Sequence, residues 1–238
     1  MTAPSFPPRL TLYYSPKACS LASHIALEES GLPYVAAAVN IRAQEHRRPE
    51  YLKLNPSGTV PALGIDGQIL TESQAILTYV ADLVPECNLL PRTGTLARAR
   101  AHQWMNLISS GVHVAFRGIF RPQTYGGESR EGIASVSDQS HQNLTKAIQT
   151  IEERLGEHPY ALGENFSVVD GYLLVFYLWS HDERLQQKLP ERPRWRALAE
   201  RVWSRESVRK VVAREREVRA YDLPAGFALT MDAVRTAA

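Results

Sequence analysis

The chain has 238 residues, enough for one large domain or two small ones, and either can bury a core. With 44% hydrophobic and 22% charged residues it has an ordinary globular composition, and a net charge of +2 gives no basis for a nucleic-acid partner. The opening MTAPSFPPRL lacks a signal-peptide layout, and the longest apolar run, YLLVFYLW at 172–179, is too short to span a bilayer, so no membrane partner is expected.

The elements alternate at first. RLTLYY (9–14) is a short strand pattern, and Ala18, Leu21, Ala22, Ile25 and Ala26 then recur at helical spacing up to Ser30. Gly31 and Pro33 stop that helix, and YVAAAVNI (34–41) returns to strand. A polar stretch, RAQEHRRPEYLKLNP, leads to SGTVPALGIDGQIL, a hairpin turning at Asp66-Gly67. TESQAILTYVADLVP is a helix with Thr71 as N-cap and Gln74 completing a capping box, closed by Pro85. The order is βαβ, then ββα, which implies a mixed sheet with helices on its faces.

After Pro85 the texture changes. ECNLLPRTGT is a linker, and only helical patterns follow, at about 96–121, 133–156, 168–181 and 195–217. The expected organisation is an α/β domain over 9–85, a linker over 86–95, an all-helical domain over 96–217 and a C-terminal tail over 218–238. Arginines between Arg184 and Arg219 alternate with Glu191, Glu200, Glu206, Glu215 and Glu217, the pattern of a solvated helix face. Two cysteines, Cys19 and Cys87, form no disulfide framework, which fits a reducing, cytoplasmic setting.

Three motifs of the first domain carry chemistry. Cys19 falls near a helix start, where the dipole lowers a thiol pKa; it is either a reactive thiol or a small packing residue. No second cysteine stands at Cys-x-x-Cys spacing, which excludes a self-contained dithiol pair. Val60–Pro61 in GTVPAL is a candidate cis peptide whose Val60 backbone can pair with an extended peptide, or else a trans proline opening an edge strand. Glu72 and Ser73 in LTESQAI lie in a first helical turn, where free N–H groups hold a carboxylate and Glu72 can accept from an ammonium; the alternative is simple capping. Together they describe a site for a small thiol peptide.

The joint occurrence of SPKACS, NPSGTVPAL and LTESQAI ahead of an all-helical domain resembles the glutathione transferases. The form SPKACSLASHIALEE is similar to their bacterial beta class, and the likeness covers roughly 9–217. It implies a thioredoxin-like N-terminal domain followed by an all-α domain, a homodimer, and glutathione as co-substrate with no metal. It implies that Cys19 contacts the glutathione sulfur and can hold it as a mixed disulfide, with Tyr14 and Ser20 at neighbouring hydroxyl positions. Val60 and Pro61 would meet the cysteinyl backbone, and Glu72 and Ser73 the γ-glutamyl end.

In QWMNLISSGVHVAFRGIFRP the resemblance places His113 near the glutathione sulfur; as a helix histidine it is otherwise a satisfied polar residue. Asn106, seven residues earlier and so on the same face, matches a position reaching glutathione across the dimer, with Ser110 nearby. Phe116, Phe120 and Trp179 either wall a pocket for the second, apolar substrate or belong to the core. In ENFSVVDGYLL, Ser167 and Asp170 form a capping motif that serves folding.

Two positions depart from the family pattern. Val114 follows His113 where a lysine is often found, and the basic residue expected after the second strand falls near Gln44, with Arg42 and Arg47 close by. The expected activity is conjugation of the glutathione thiolate to small apolar electrophiles. The alternatives are a glutathione-dependent thiol-disulfide transferase using Cys19, and a non-catalytic binding protein of the same fold.

Overall fold

Alternating burial makes the first strand. In β1 (Leu10–Tyr14) Leu10, Leu12 and Tyr14 are buried on one face, while Thr11 and Tyr13 are half-buried on the other. The structure, a computed structural model, describes residues 7–185 and 189–218; beyond Val218 the expected tail lies outside the described residues. β1 runs parallel to β2 (Tyr34–Ala38), with Leu10 opposite Tyr34. It runs antiparallel to β3 (Ala62–Ile65), with Leu12 opposite Leu63. β3 turns back into β4 (Gln68–Thr71), giving one sheet of order β2-β1-β3-β4. The turn is at Asp66-Gly67, where both residues take positive φ (48° and 89°), as a tight two-residue hairpin requires.

The parallel pair needs a crossover, supplied by α1 (Leu21–Ser30), which Gly31 closes in the left-handed conformation. A short α2 (Pro49–Leu54) precedes β3, and α3 (Ser73–Leu83) follows β4. The βαβ–ββα order and mixed sheet are therefore as expected, but the capping box is not: Thr71 ends β4 and Glu72, at φ 70°, occupies the N-cap without a side-chain cap. The strand extends one residue further than the Thr-x-x-Gln pattern allows.

The remaining chain is helical: α4 (Leu96–Asn106), α5 (His113–Phe120), α6 (Gln123–Gly126), α7 (Arg130–Leu155), α8 (Val168–Trp179), α9 (Pro193–Trp203) and α10 (Glu206–Val218). The pattern at 195–217 is two helices, broken between Trp203 and Glu206. α8 is buried almost throughout, and the carboxylate of Asp170 accepts hydrogen bonds from the Ser167 amide (2.7 Å), the Ser167 hydroxyl (2.8 Å) and the Ala161 amide (2.7 Å). α5 approaches α7 closely because Gly118 has no side chain; a Cβ there would stand 2.0 Å from Ser140 Oγ.

The described residues group into two compact units, 7–98 with 205–218 and 99–185 with 189–204. This differs from a contiguous 96–217 block, because α10 packs on α1. At their contact His24 Nδ1 lies 2.9 Å from Glu215 Oε1, with both side chains 0% exposed. Burial raises the Glu215 pKa, and hydrogen bonds from His24 and the Lys17 amide oppose that rise. Glu29 receives both Nε and Nη2 of Arg205 (2.6 and 2.8 Å), and Glu28 pairs with Lys210 and accepts from Tyr34. The arginine-glutamate pattern thus corrects from a solvated face to a partly buried one: alternate charges grip α1, and Val208, Val211 and Val212 are in the core.

Removing either member of a buried pair strands the other. His24→Ala and Glu215→Ala should each cost about 3 kcal/mol, lowering Tm by roughly 6–12 °C. The double variant should lose clearly less than the sum of the two in thermal unfolding; additive losses would show that the pair is not coupled.

Candidate functional site

The loop from Ser15 to Ser20 connects β1 to α1 and carries Cys19. It is held by one hydroxyl: Ser20 Oγ accepts from the Ser15 amide (3.1 Å) and donates to the Ser15 carbonyl (3.2 Å). Helix α1 starts at Leu21, so Cys19 precedes the first turn rather than sitting within it. Its thiol is buried, at 9% exposure, and donates to the Val60 carbonyl at 3.5 Å. Burial pushes the thiol up to about 11, against hydrogen bonds from backbone amides and Ser73 that pull it down, while the nearby Glu72 charge adds to the rise. The lowered pKa expected from a helix start is therefore corrected: desolvation outweighs the hydrogen bonds that lower it.

Val60 and Pro61 are joined by a cis peptide bond. The preceding turn is pinned by residues of the polar stretch RAQEHRRPEYLKLNP. Tyr51 Oη and Asn55 Nδ2 both donate to the Thr59 carbonyl, at 2.6 and 2.8 Å. Tyr51 packs with Val39 and Val60, and Tyr13, Ala18, Ile41 and Leu54 pack against them. The proline at the start of α2 followed by Tyr51, Leu52 and Leu54 was the available signal for this support.

Ser73 opens α3 beside Cys19, and Glu72 is exposed at its N-cap. The first intrahelical bond runs from the Ile76 amide to the Glu72 carbonyl, so Ser73 stands at the amide-bearing end of the helix, where the dipole favours an anion. Cys19, Val60, Glu72 and Ser73 are thus gathered at one place in the first unit. Tyr14 is not part of that gathering. It is 2% exposed on the opposite face of β1 from Tyr13, its ring 4.8 Å from His24, with burial and Glu215 raising its pKa. Arg42 and Arg47 are exposed, and Gln44, at φ 57°, donates to the Ile41 carbonyl (3.3 Å).

In the second unit, α4 and α5 are one continuous helix interrupted by a π segment, Leu107–Val112. The His113 amide bonds the Ile108 carbonyl, five residues back, and Ser110 Oγ fills the Asn106 carbonyl at 2.7 Å. The extra residue turns the helix by about 100°, so Asn106 and His113 do not share a face as their spacing suggested. Asn106 and Ser110 are exposed.

His113 packs on Trp179 (5.4 Å between rings) and Phe176 (5.2 Å). Burial, reinforced by Arg117, pushes its imidazole down to about 4, so it is neutral at physiological pH and can accept a proton but carries no charge. Phe116, at 0% exposure, is core rather than pocket wall; Phe120 and Trp179 are half-buried. Val114 is 47% exposed and faces elsewhere, onto a cavity of about 190 Å³ between α5, α6 and α7 with Tyr125, Val136 and Asn143. Among the described residues no cluster of three or more His, Cys, Asp or Glu side chains could hold a metal ion, and no helix is long and apolar enough to cross a membrane.

Known proteins with these features agree on a family. Residues 18–83 match the glutathione S-transferase N-terminal domain and residues 105–206 its C-terminal domain. The glutathione S-transferase GstA of Escherichia coli O157:H7 is 34% identical over 197 residues, covering 77% of this chain and 94% of its own. A glutathione transferase homologue from Sulfitobacter, solved with bound glutathione, superimposes with a TM-score of 0.78 at 32% identity over 87% of this chain and 98% of its own. A bacterial beta class glutathione S-transferase from Sphingomonas chungbukensis does so with 0.73 at 34% identity over 86% and 98%. The chain belongs to the glutathione S-transferase family.

A buried neutral thiol reacts slowly. With iodoacetamide at pH 7.5, exposed Cys87 should be alkylated well before Cys19, followed by mass spectrometry. The Cys19 rate should climb with pH toward 11. Faster labelling of Cys19 at neutral pH would contradict the burial argument.

Proposed function

We propose that the protein is a glutathione transferase that conjugates the glutathione thiolate to small apolar electrophiles. The observation that carries this reading is the convergence of Cys19, the cis Val60–Pro61 backbone and the α3 start at Glu72 and Ser73. In this reading the γ-glutamyl carboxylate sits at the start of α3 on the Ser73 amide and hydroxyl, with its ammonium on Glu72. The cysteinyl backbone pairs with Val60, and the glutathione sulfur comes to Cys19. Family likeness alone adds Asn106, Ser110 and His113 to the glutathione contacts and Phe120 and Trp179 to those of the electrophile.

The attacking atom is the glutathione sulfur. The thiol loses its proton to solvent or a neutral acceptor such as His113, and the resulting thiolate forms a carbon–sulfur bond as the leaving group departs with its electron pair. A protonated Cys19 thiol is a hydrogen-bond donor and favours the thiolate form of its neighbour. Ser20 is less suited to that task because its hydroxyl holds the loop closed. Tyr14 is directed to His24 and the α10 side. The same neutral Cys19 argues against thiol-disulfide exchange as the main activity, since a thiol near 11 is a poor source of thiolate. By family likeness we also place the protein in the cytoplasm as a homodimer with a detoxifying role.

Retention on immobilised glutathione together with turnover of 1-chloro-2,4-dinitrobenzene tests the reading; retention without turnover across a panel of electrophiles would leave only a binding protein. Glu72→Gln and Ser73→Ala should each raise the KM for glutathione about tenfold, the loss of one charge-assisted hydrogen bond, with kcat changed much less. Cys19→Ala should slow conjugation about tenfold, one hydrogen bond to the thiolate lost, and remove any residual disulfide exchange altogether.

A further inference from the structure

The half-exposed aromatic set of the helical unit has one polar neighbour that neither the family match nor the sequence motifs single out. Arg184, just past α8, lays its guanidinium over the Phe120 ring, 3.8 Å from the centroid. Phe120 in turn lies 5.7 Å from Trp179, and Trp179 5.4 Å from His113. The guanidinium is held in place from behind. Asp182 accepts from Arg184 Nε at 2.6 Å, from Nη2 at 2.7 Å and from the Arg184 amide at 3.0 Å. An arginine on a flexible surface loop would sample many rotamers; this one is fixed on one edge by a bidentate carboxylate and on one face by a ring.

That arrangement leaves the Nη1 end of the fork directed away from Asp182, while the Arg184 side chain keeps 54% of its surface. Asp182 and Glu183 are the carboxylates that act on Arg184. His113 is neutral, Phe120 and Trp179 are apolar, and Arg117 of α5 lies over Tyr125 of α6 at 5.9 Å. A guanidinium that is pre-oriented and partly dehydrated at an apolar rim recognises a planar oxyanion with little further ordering.

Resting on the conjugation reading above, we infer that Arg184 is a specificity-determining residue: it selects, among aryl electrophiles held against Trp179 beside the Arg184–Phe120 stack, those that carry a carboxylate. The substrate class is a planar, electron-poor aryl electrophile with an anionic substituent. Asp182 balances the charge of Arg184, so recognition acts through a short directional hydrogen bond rather than a long-range field. The effect therefore falls on KM for the anionic substrate, not on the chemical step.

The experiment pairs 1-chloro-2,4-dinitrobenzene, which is neutral, with 4-chloro-3-nitrobenzoate, which carries the carboxylate, at saturating glutathione. In Arg184→Gln the KM for the benzoate should rise about tenfold, one charge-assisted hydrogen bond lost, with kcat within twofold. The KM for the neutral substrate should stay within twofold. Arg184→Lys should recover part of the benzoate affinity, because a cation returns without the fork. If both substrates weaken equally, Arg184 only props up Phe120 and the inference is overturned. It is overturned equally if the benzoate KM does not move, or if the wild type accepts the neutral substrate and refuses the benzoate. If the wild type turns over neither substrate, the conjugation reading itself falls and takes this inference with it.

Discussion

The first unit depends on the buried contact between His24 and Glu215. It joins residues 191 positions apart, and neither side chain is exposed. A carboxylate so placed is costly to desolvate, and its compensation comes from two directions: the imidazole on α1 and the amide of Lys17 in the Cys19 loop. One oxygen of a C-terminal helix therefore reaches both the helix that follows the thiol and the loop that presents it. Among the described residues His24 Nε2 and Glu215 Oε2 have no hydrogen-bond partner, so the pair is only partly compensated there and its geometry matters all the more.

The surrounding ions make sense around that contact. Glu28 and Glu29 end α1 and take Lys210, Arg214 and Arg205 from α10, with Tyr34 of β2 bridging Glu28 and Arg214. Pairs whose cation stays in contact with solvent contribute modestly singly, even with the carboxylates 10% exposed as here. Their arrangement on one helix face fixes which turn of α10 meets α1, and hence where Glu215 arrives.

What could be read from the sequence follows the range of the interaction concerned. The strand alternation of β1, the Gly31 stop and the Asp66-Gly67 turn depend on neighbours a few residues away, so composition and spacing reveal them. The Ser167–Asp170 cap is local too. The adherence of α10 to α1 is not, because a run of arginines and glutamates looks the same whether its partners are water or a helix far up the chain. The π segment is not legible for another reason: every residue from Asn106 to His113 is compatible with an α-helix, and the extra residue shows in the His113-to-Ile108 backbone bond and in the Ser109 and Ser110 hydroxyls on the Asn106 carbonyl. Tyr51 and Asn55 were hidden because they support the cis Val60–Pro61 turn through the Thr59 carbonyl, a contact without sequence period.

The same distinction applies to the chemistry of Cys19. Its position before a helix suggested a lowered pKa, a local argument, yet the thiol is raised to about 11 by packing that the local sequence does not show. His113 is displaced in the complementary sense, to about 4, by the aromatic set of α5 and α8. Both shifts have the same cause: burial favours the neutral form of an acid and of a base alike. Between those two limits neither group changes charge over the physiological range. A thiol held neutral in this way is a poor source of thiolate at neutral pH, and that physical constraint is the ground for assigning the attack to a thiol other than Cys19.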